Sequence, residues 1–166
     1  DTIPVFFKAV PEFVYLLLAA ERIGASLLCR DNTVEENVDA VWKAKATIIF
    51  AHDFLSQQEF NLFRSVAGVD FAILLPPITN ISDCGVPEHI RRYVGLQYQE
   101  YPAYGPQTLT WDCFLKQGNQ FEGAVEASRN INRPLYKTYT SGSTGPSKQV
   151  IHSANSIVGN IHQMNF

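Results

Sequence analysis

The sequence predicts a doubly wound α/β fold on a mostly parallel sheet, and two observations carry that prediction. Short apolar, β-leaning runs begin near residues 3, 26, 47 and 71, a spacing of 21 to 24 positions, and a helical pattern fills each gap. Regular alternation of this kind requires parallel strands joined by right-handed crossovers. The runs are also apolar without clean alternation, as expected when both faces of a strand are covered.

The elements follow in order. Ile3 to Phe7 (IPVFF) is the first strand. Pro11 and Glu12 open a helix, with proline early, where its missing N–H costs nothing, and Gly24 stops it. Ser26 to Cys29 is the second strand. Thr33 and Glu36 have the spacing of a capping box, and Val34, Val38, Val41 and Trp42 then recur at helical spacing. Thr47 to Phe50 (TIIF) is a third strand, followed by a helix over 54–66 with Leu55, Leu62, Phe63 and Val66 on one face. Asp70 to Leu75 (DFAILL) is the fourth strand. Residues 76–108 hold five prolines and three glycines and read as a long irregular segment. Thr110 to Leu115 suggests a short helix ended by Gly118, and 119–133 is polar and loop-like. Leu135 to Thr140 (LYKTYT) is a strand, Gln149 to His152 a short returning strand, and a helix from Ser153 carries Ile157, Val158, Ile161 and Met164 on one face. The chain thus divides into a βα-repeat portion (1–76), an irregular segment (77–133) and a strand–loop–helix portion (134–166).

Composition narrows the function classes. A net charge of −3 and a pI near 5.8 argue against a nucleic-acid grip, which requires a basic stripe. The longest apolar run, Phe13 to Ala20, is too short for a membrane span and is broken by Glu21 and Arg22. Cys29, Cys84 and Cys113 form no CxxC pair, so neither a disulfide framework nor a zinc ribbon is indicated, and reduced thiols in a cytoplasmic protein are expected. No cluster of His, Cys and carboxylates has metal-ligand spacing. The chain opens at Asp1 and closes at Phe166 inside a helical pattern, and reads as an internal piece of a longer protein.

One stretch stands apart. YTSGSTGPSKQ, residues 139–149, is small, hydroxyl-rich and glycine-bearing between two β runs. Glycines let a backbone turn its N–H groups inward, and the hydroxyls of Thr140, Ser141, Ser143 and Thr144 add donors. Lys148 adds a point charge suited to phosphate oxygens. The plain alternative is a flexible surface turn, which needs neither four hydroxyls nor a lysine. It is not a Walker A loop: Gly142 and Gly145 are two residues apart, and Lys148 follows Pro146 and Ser147. A GxGxxG fingerprint is also missing.

The stretch resembles the phosphate loop of the adenylate-forming (AMP-binding) superfamily, which includes acyl-CoA synthetases, nonribosomal peptide adenylation domains and luciferases. Eight of the ten positions of Tyr-Thr-Ser-Gly-Ser-Thr-Gly-x-x-Lys carry the required residue types. His152 and Ser153 match the "HS" that commonly comes next in acyl-CoA synthetases. Upstream, AVPEFVYLLLAAERIGASLL (9–28) and TVEENVDAVWKAKATIIFAHD (33–53) resemble family blocks in register, so the resemblance covers nearly all of the chain, weakest from 77 to 133. Cys29, Gln149 and the position of Pro146 depart from the common pattern.

The resemblance implies a partial N-terminal domain of an acyl-CoA synthetase-like enzyme. Such enzymes join a small carboxylic acid to ATP, with Mg2+, and pass the acyl group to coenzyme A. The implied nucleotide-binding residues are Thr140, Ser141, Gly142, Ser143, Thr144, Gly145 and Lys148, holding the β- and γ-phosphates and the departing pyrophosphate. The family's magnesium-binding glutamate, ribose-binding aspartate and C-terminal lysine lie downstream of such a loop, so no catalytic residue is assigned here and the 166-residue piece is expected to be inactive alone, requiring the missing remainder of the same chain. Two other readings stand: a noncatalytic nucleotide-binding α/β module, and a peptide-synthetase adenylation domain, whose usual KAGGAYVP block is replaced by RIGASLLC at 22–29. His152 reads as structural rather than as a base, Asp53 as a helix N-cap beside His52, and His89 with Arg91 and Arg92 as a solvated face. Trp42 and most phenylalanines read as core, and Tyr98, Tyr101 and Tyr104 as packing for the long loop.

Overall fold

The computed structural model describes residues 1–6, 11–30, 33–52, 55–75, 89, 105–121, 130–140, 145 and 147–164. Seven strands form one sheet: β1 (Thr2–Phe6), β2 (Ser26–Cys29), β3 (Ile48–Ala51), β4 (Phe71–Leu74), β5 (Thr108–Thr110), β6 (Pro134–Tyr139) and β7 (Gln149–Ser153). Their order is β5-β4-β3-β1-β2-β6-β7, and every pairing is parallel except that of β6 with β7. The helices are α1 (Glu12–Ile23), α2 (Val34–Ala44), α3 (Gln57–Ala67), α4 (Trp111–Gly118) and α5 (Ala154–Met164).

The chain steps from β1 to β2 on one side, then crosses back over β1 to lay β3 and β4 on the other. That reversal divides the helices between two faces. Val38 and Val41 of α2 and Phe60 and Phe63 of α3 pack on one face, against Phe6, Ile49, Ala51, Ala72 and Leu74. Leu16 and Ala20 of α1 and Trp111 of α4 pack on the other, against Val5, Leu27, Phe50, Ile73 and Leu135. Phe50 and Ile73 therefore face one layer while their neighbours Ile49, Ala51, Ala72 and Leu74 face the other, which is why the strands read as continuous apolar runs.

Local signals set the boundaries. Gly24 closes α1 in the left-handed region at φ 78°, donating to the carbonyls of Ala20 and Glu21. Lys45 makes the same closure of α2 at φ 51°. At the start of α2 the Thr33 hydroxyl accepts from the Glu36 N–H at 3.4 Å, and the Glu36 carboxylate lies 3.3 Å from Arg30. A reciprocal capping box occurs at α3, where Ser56 accepts from the Glu59 N–H at 3.2 Å and the Glu59 carboxylate accepts from the Ser56 N–H at 2.7 Å.

Several expectations are corrected. The N-cap of α3 is Ser56, not Asp53, which lies outside the described residues. Starting α3 at Gln57 turns Phe60 and Phe63 inward and leaves Leu62 (43% exposed) and Val66 (57%) on the outer side. Trp42 is 59% exposed rather than core: one residue past buried Val41, it sits about 100° round the helix, away from the sheet. Phe71 and Phe121 are exposed too. On α5 Ala154 and Ile157 pack against the core, and Val158, Ile161 and Met164 are exposed. Within the stretch read as irregular, β5 pairs with β4 and Thr110 caps α4 by accepting from the Cys113 N–H at 3.3 Å. Tyr98, Tyr101, Tyr104, Arg91 and Arg92 lie outside the described residues; His89 is exposed.

Two polar anchors fix β6 beside β2. The Ser26 hydroxyl donates to the Pro134 carbonyl at 2.6 Å. Arg133, just before the strand, donates to the carbonyls of Ala25 (2.8 Å), Ala20 (3.3 Å) and Glu21. These bonds place the strand that leads into the small polar loop.

Candidate functional site

β6 runs parallel to β2, so the loop after it emerges at the carboxyl edge of the sheet, where open α/β sheets hold ligands. β6 and β7 form a hairpin with Tyr139 paired to Gln149, and the loop spans 140–148. Of the seven residues expected to bind nucleotide, Thr140, Gly145 and Lys148 are described; Ser141, Gly142, Ser143 and Thr144 lie outside the described residues.

The root of the loop is closed by one residue acting three ways. The Thr140 N–H donates to the Lys148 carbonyl at 2.9 Å. Its hydroxyl oxygen accepts from the Lys148 N–H at 3.0 Å, and its carbonyl accepts from the Ser147 hydroxyl at 2.6 Å. The Thr140 hydroxyl, expected as a donor to ligand, accepts one bond at the root and keeps its hydrogen free to donate. Just below, Gln149 Nε2 donates to the Tyr139 hydroxyl at 3.1 Å. Both ends of the loop are held.

Lys148 is exposed at the carboxyl edge, and among the described residues its ammonium pairs with no carboxylate. A cation without a counter-ion beside a closed loop root suits an anion. No group of three or more His, Cys, Asp or Glu able to hold a metal occurs among the described residues. The donors present thus fit the phosphates of a nucleotide, and no ligand set for Mg2+ is found among the described residues.

Neighbouring titratable groups contact one another. His152 on β7 stacks on Tyr136 with ring centroids 5.7 Å apart. Burial pushes the Cys29 thiol up to about 12, while a hydrogen bond with Tyr136 pulls it down. Tyr136 is raised by burial first and by Cys29 second. A second feature, a cavity of about 570 Å³ between α1 and α4, is lined by apolar groups including Leu16, Leu27, Phe50, Trp111 and Phe114 and by none of the described loop residues.

Sequence reasoning missed four participants: Ser147, Tyr139, Gln149 and Arg30. Ser147 was visible as one more hydroxyl, and Tyr139 and Gln149 are paired once the hairpin register is known. Arg30 comes directly after β2 with its guanidinium carbon 4.2 Å from the Tyr139 ring centroid, a contact that depends on β6 lying beside β2, which no local pattern announces.

No family model matches the chain. Acetyl-coenzyme A synthetase from Escherichia coli strain K12 is 27% identical over 159 residues, covering 92% of this chain and 22% of its own length. Among solved structures, acetoacetyl-CoA synthetase from Streptomyces lividans superposes with a TM-score of 0.64 at 16% identity, over 99% of this chain and 23% of that one. The didomain of carboxylic acid reductase from Segniliparus rugosus, solved in complex with AMP, superposes with a TM-score of 0.63 at 14% identity, over 95% of this chain and 22% of that one. The chain is thus similar in sequence to acetyl-coenzyme A synthetases and in fold to adenylation domains of acyl-CoA synthetase-like enzymes. It spans about a fifth of the length of the curated relatives it matches. The doubly wound sheet superposes on about a fifth of the length of those solved structures. No helix among the described residues is long and apolar enough to cross a membrane.

Proposed function

We propose that this chain supplies the phosphate-binding part of an ATP-dependent acid–thiol ligase. The full-length protein would activate a small carboxylic acid as an acyl-adenylate and transfer the acyl group to coenzyme A. The observation that carries the reading is the loop itself: YTSGSTGPSK closed at its root by Thr140, at the carboxyl edge of a parallel sheet, with the Lys148 ammonium unpaired by any described carboxylate.

The chemistry builds on that geometry. The carboxylate oxygen attacks the α-phosphorus of ATP, and the bond to the β-phosphate oxygen breaks. Negative charge builds on the departing pyrophosphate, and preorganised donors stabilise it more than they stabilise bound ATP. Lys148 provides the full charge, and Thr140, Ser141, Ser143, Thr144 and the amides of Gly142 and Gly145 provide hydrogen bonds. Thr140 also keeps the loop root closed, which lowers the entropy lost on binding. Magnesium accompanying ATP would neutralise part of the phosphate charge. The protein works in the cytoplasm, where ATP and coenzyme A are available, and this chain alone does not adenylate.

The test is ATP–pyrophosphate exchange across a panel of carboxylic acids, run on the full-length protein and on the 166-residue chain. Exchange by the full-length protein with one class of acid, and background rates from the chain alone, is the expected result. Measurable ATP binding without exchange for any acid would favour the noncatalytic module instead.

A further inference from the structure

We infer that Arg30 is a positioning residue for this loop: its guanidinium fixes the ring of Tyr139, and through Tyr139 it holds the mouth of the β6–β7 hairpin. The inference deepens the nucleotide-binding reading and rests on it for its functional consequence.

Arg30 comes directly after the last residue of β2, at the same carboxyl edge as the loop. Its side chain is only 8% exposed. The guanidinium carbon sits 4.2 Å from the centroid of the Tyr139 ring, and one terminal nitrogen lies 3.3 Å from the Glu36 carboxylate. Its Nε is buried without a hydrogen-bond partner among the described residues. Burying a cation and orphaning one of its donors both oppose folding, and an apolar side chain of similar length would fill the same space without either cost. What the guanidinium does that an aliphatic chain cannot is place its charge over an aromatic face while a terminal N–H reaches a carboxylate. Glu36 at the start of α2 therefore fixes Arg30, and Arg30 fixes the plane of Tyr139.

The orientation of that ring bears directly on the loop. Tyr139 pairs with Gln149 across the hairpin and accepts its side-chain N–H at 3.1 Å. The next residue is Thr140, whose three bonds close the loop root. A tilted Tyr139 would shift Gln149 and then the Thr140–Lys148 pair. The relay Glu36–Arg30–Tyr139–Gln149 thus couples the α2 layer to the loop that holds Lys148.

The experiment uses the full-length protein with Arg30→Met, Arg30→Lys and Tyr139→Phe. Amide hydrogen exchange is read at Thr140 and Lys148 without ligand, with amides of β1 and β3 as internal references. Affinities for magnesium pyrophosphate and for AMP are read by calorimetry. Arg30→Met should speed exchange at Thr140 and Lys148 and weaken pyrophosphate binding, each about five- to tenfold, the weight of one hydrogen bond. AMP affinity and exchange in β1 and β3 should hold at wild-type values. Tyr139→Phe, which keeps the ring but not the bond to Gln149, should speed exchange at the same two amides. Arg30→Lys, which keeps charge but not the guanidinium that reaches ring and carboxylate together, should behave like Arg30→Met. Wild-type exchange and pyrophosphate affinity in Arg30→Met would overturn the inference. So would an equal loss of AMP and pyrophosphate with faster exchange in β1 and β3, which marks packing alone. A wild-type protein without pyrophosphate affinity would overturn the nucleotide reading, while exchange at Thr140 and Lys148 would still decide whether Arg30 holds the hairpin.

Discussion

Replacing Arg133 with Met keeps most of the aliphatic stem and removes the guanidinium that joins β6 to the end of α1. In the native chain that group donates to the carbonyls of Ala20, Glu21 and Ala25, residues 108 to 113 positions away in sequence. Ala20 and Glu21 are among the last carbonyls of α1, where a cation also meets the negative end of the helix dipole. Hydrogen bonds to a charged group contribute about 1.5–3 kcal/mol. The site is half-buried, so water only partly replaces the lost donors. Arg133→Met should therefore cost about 1.5–3 kcal/mol, and at about 2–4 °C per kcal/mol for a chain of this size the midpoint should fall by about 3–12 °C. Urea and thermal denaturation followed by circular dichroism measure both. Arg133→Lys, a point charge that cannot reach carbonyls over the same spread, should recover part of the loss. A change below about 0.5 kcal/mol for Arg133→Met would refute the argument that these contacts anchor β6.

Other perturbations separate core from surface and root from tip. Phe60, fully buried between α3 and the sheet, should cost about 3–5 kcal/mol on Phe60→Ala, whereas exposed Trp42→Ala should change stability by less than about 0.5 kcal/mol, both read by urea denaturation. Thr140→Val removes the acceptor for the Lys148 N–H and should weaken pyrophosphate binding while costing only about 0.5–1.5 kcal/mol of stability, measured by calorimetry and denaturation. Cys29, with its thiol pushed up to about 12 by burial, should resist alkylation at pH 8 until the chain unfolds, while exposed Cys113 labels first; peptide mass spectrometry distinguishes them. The same shift carries a pH signature. The folded chain holds the Cys29 proton more tightly than the unfolded chain, whose thiol titrates near 9, so this contribution is complete below pH 9 and is lost as pH rises toward 12.

Much of the fold was legible because its signals are local. The spacing of the first four apolar runs, Gly24 at a helix end and the two-faced covering of the strands all rest on short stretches of chain. The order of strands is not local, and neither is the side of the sheet on which each helix lies. Trp42 shows the limit: its spacing from Val38 suits a helix face, but only the packing of Val38 and Val41 on the sheet reveals which arc is covered. Leu62 and Val66 were misplaced for the same reason, since the face of α3 depends on where Ser56 starts it. Residues 108–110 are too short and too polar to announce a strand, and they become one because β4 offers an unpaired edge. At the site, the loop composition pointed to phosphate, yet the role of Thr140 as the closure of the root required the register of β6 against β7. Arg30 was invisible because its partner Tyr139 is more than a hundred residues away.

The central claim is that Lys148 and its loop stabilise the departing pyrophosphate. The direct measurement is the ATP–pyrophosphate exchange rate of the full-length protein with its best acid, comparing Lys148→Ala with Lys116→Ala, a change at an exposed lysine of α4. Lys148→Ala should lower the rate on the order of 100-fold, as loss of one preorganised charge donor does, and Lys116→Ala should leave it unchanged. Equal rates in the two variants would contradict the account.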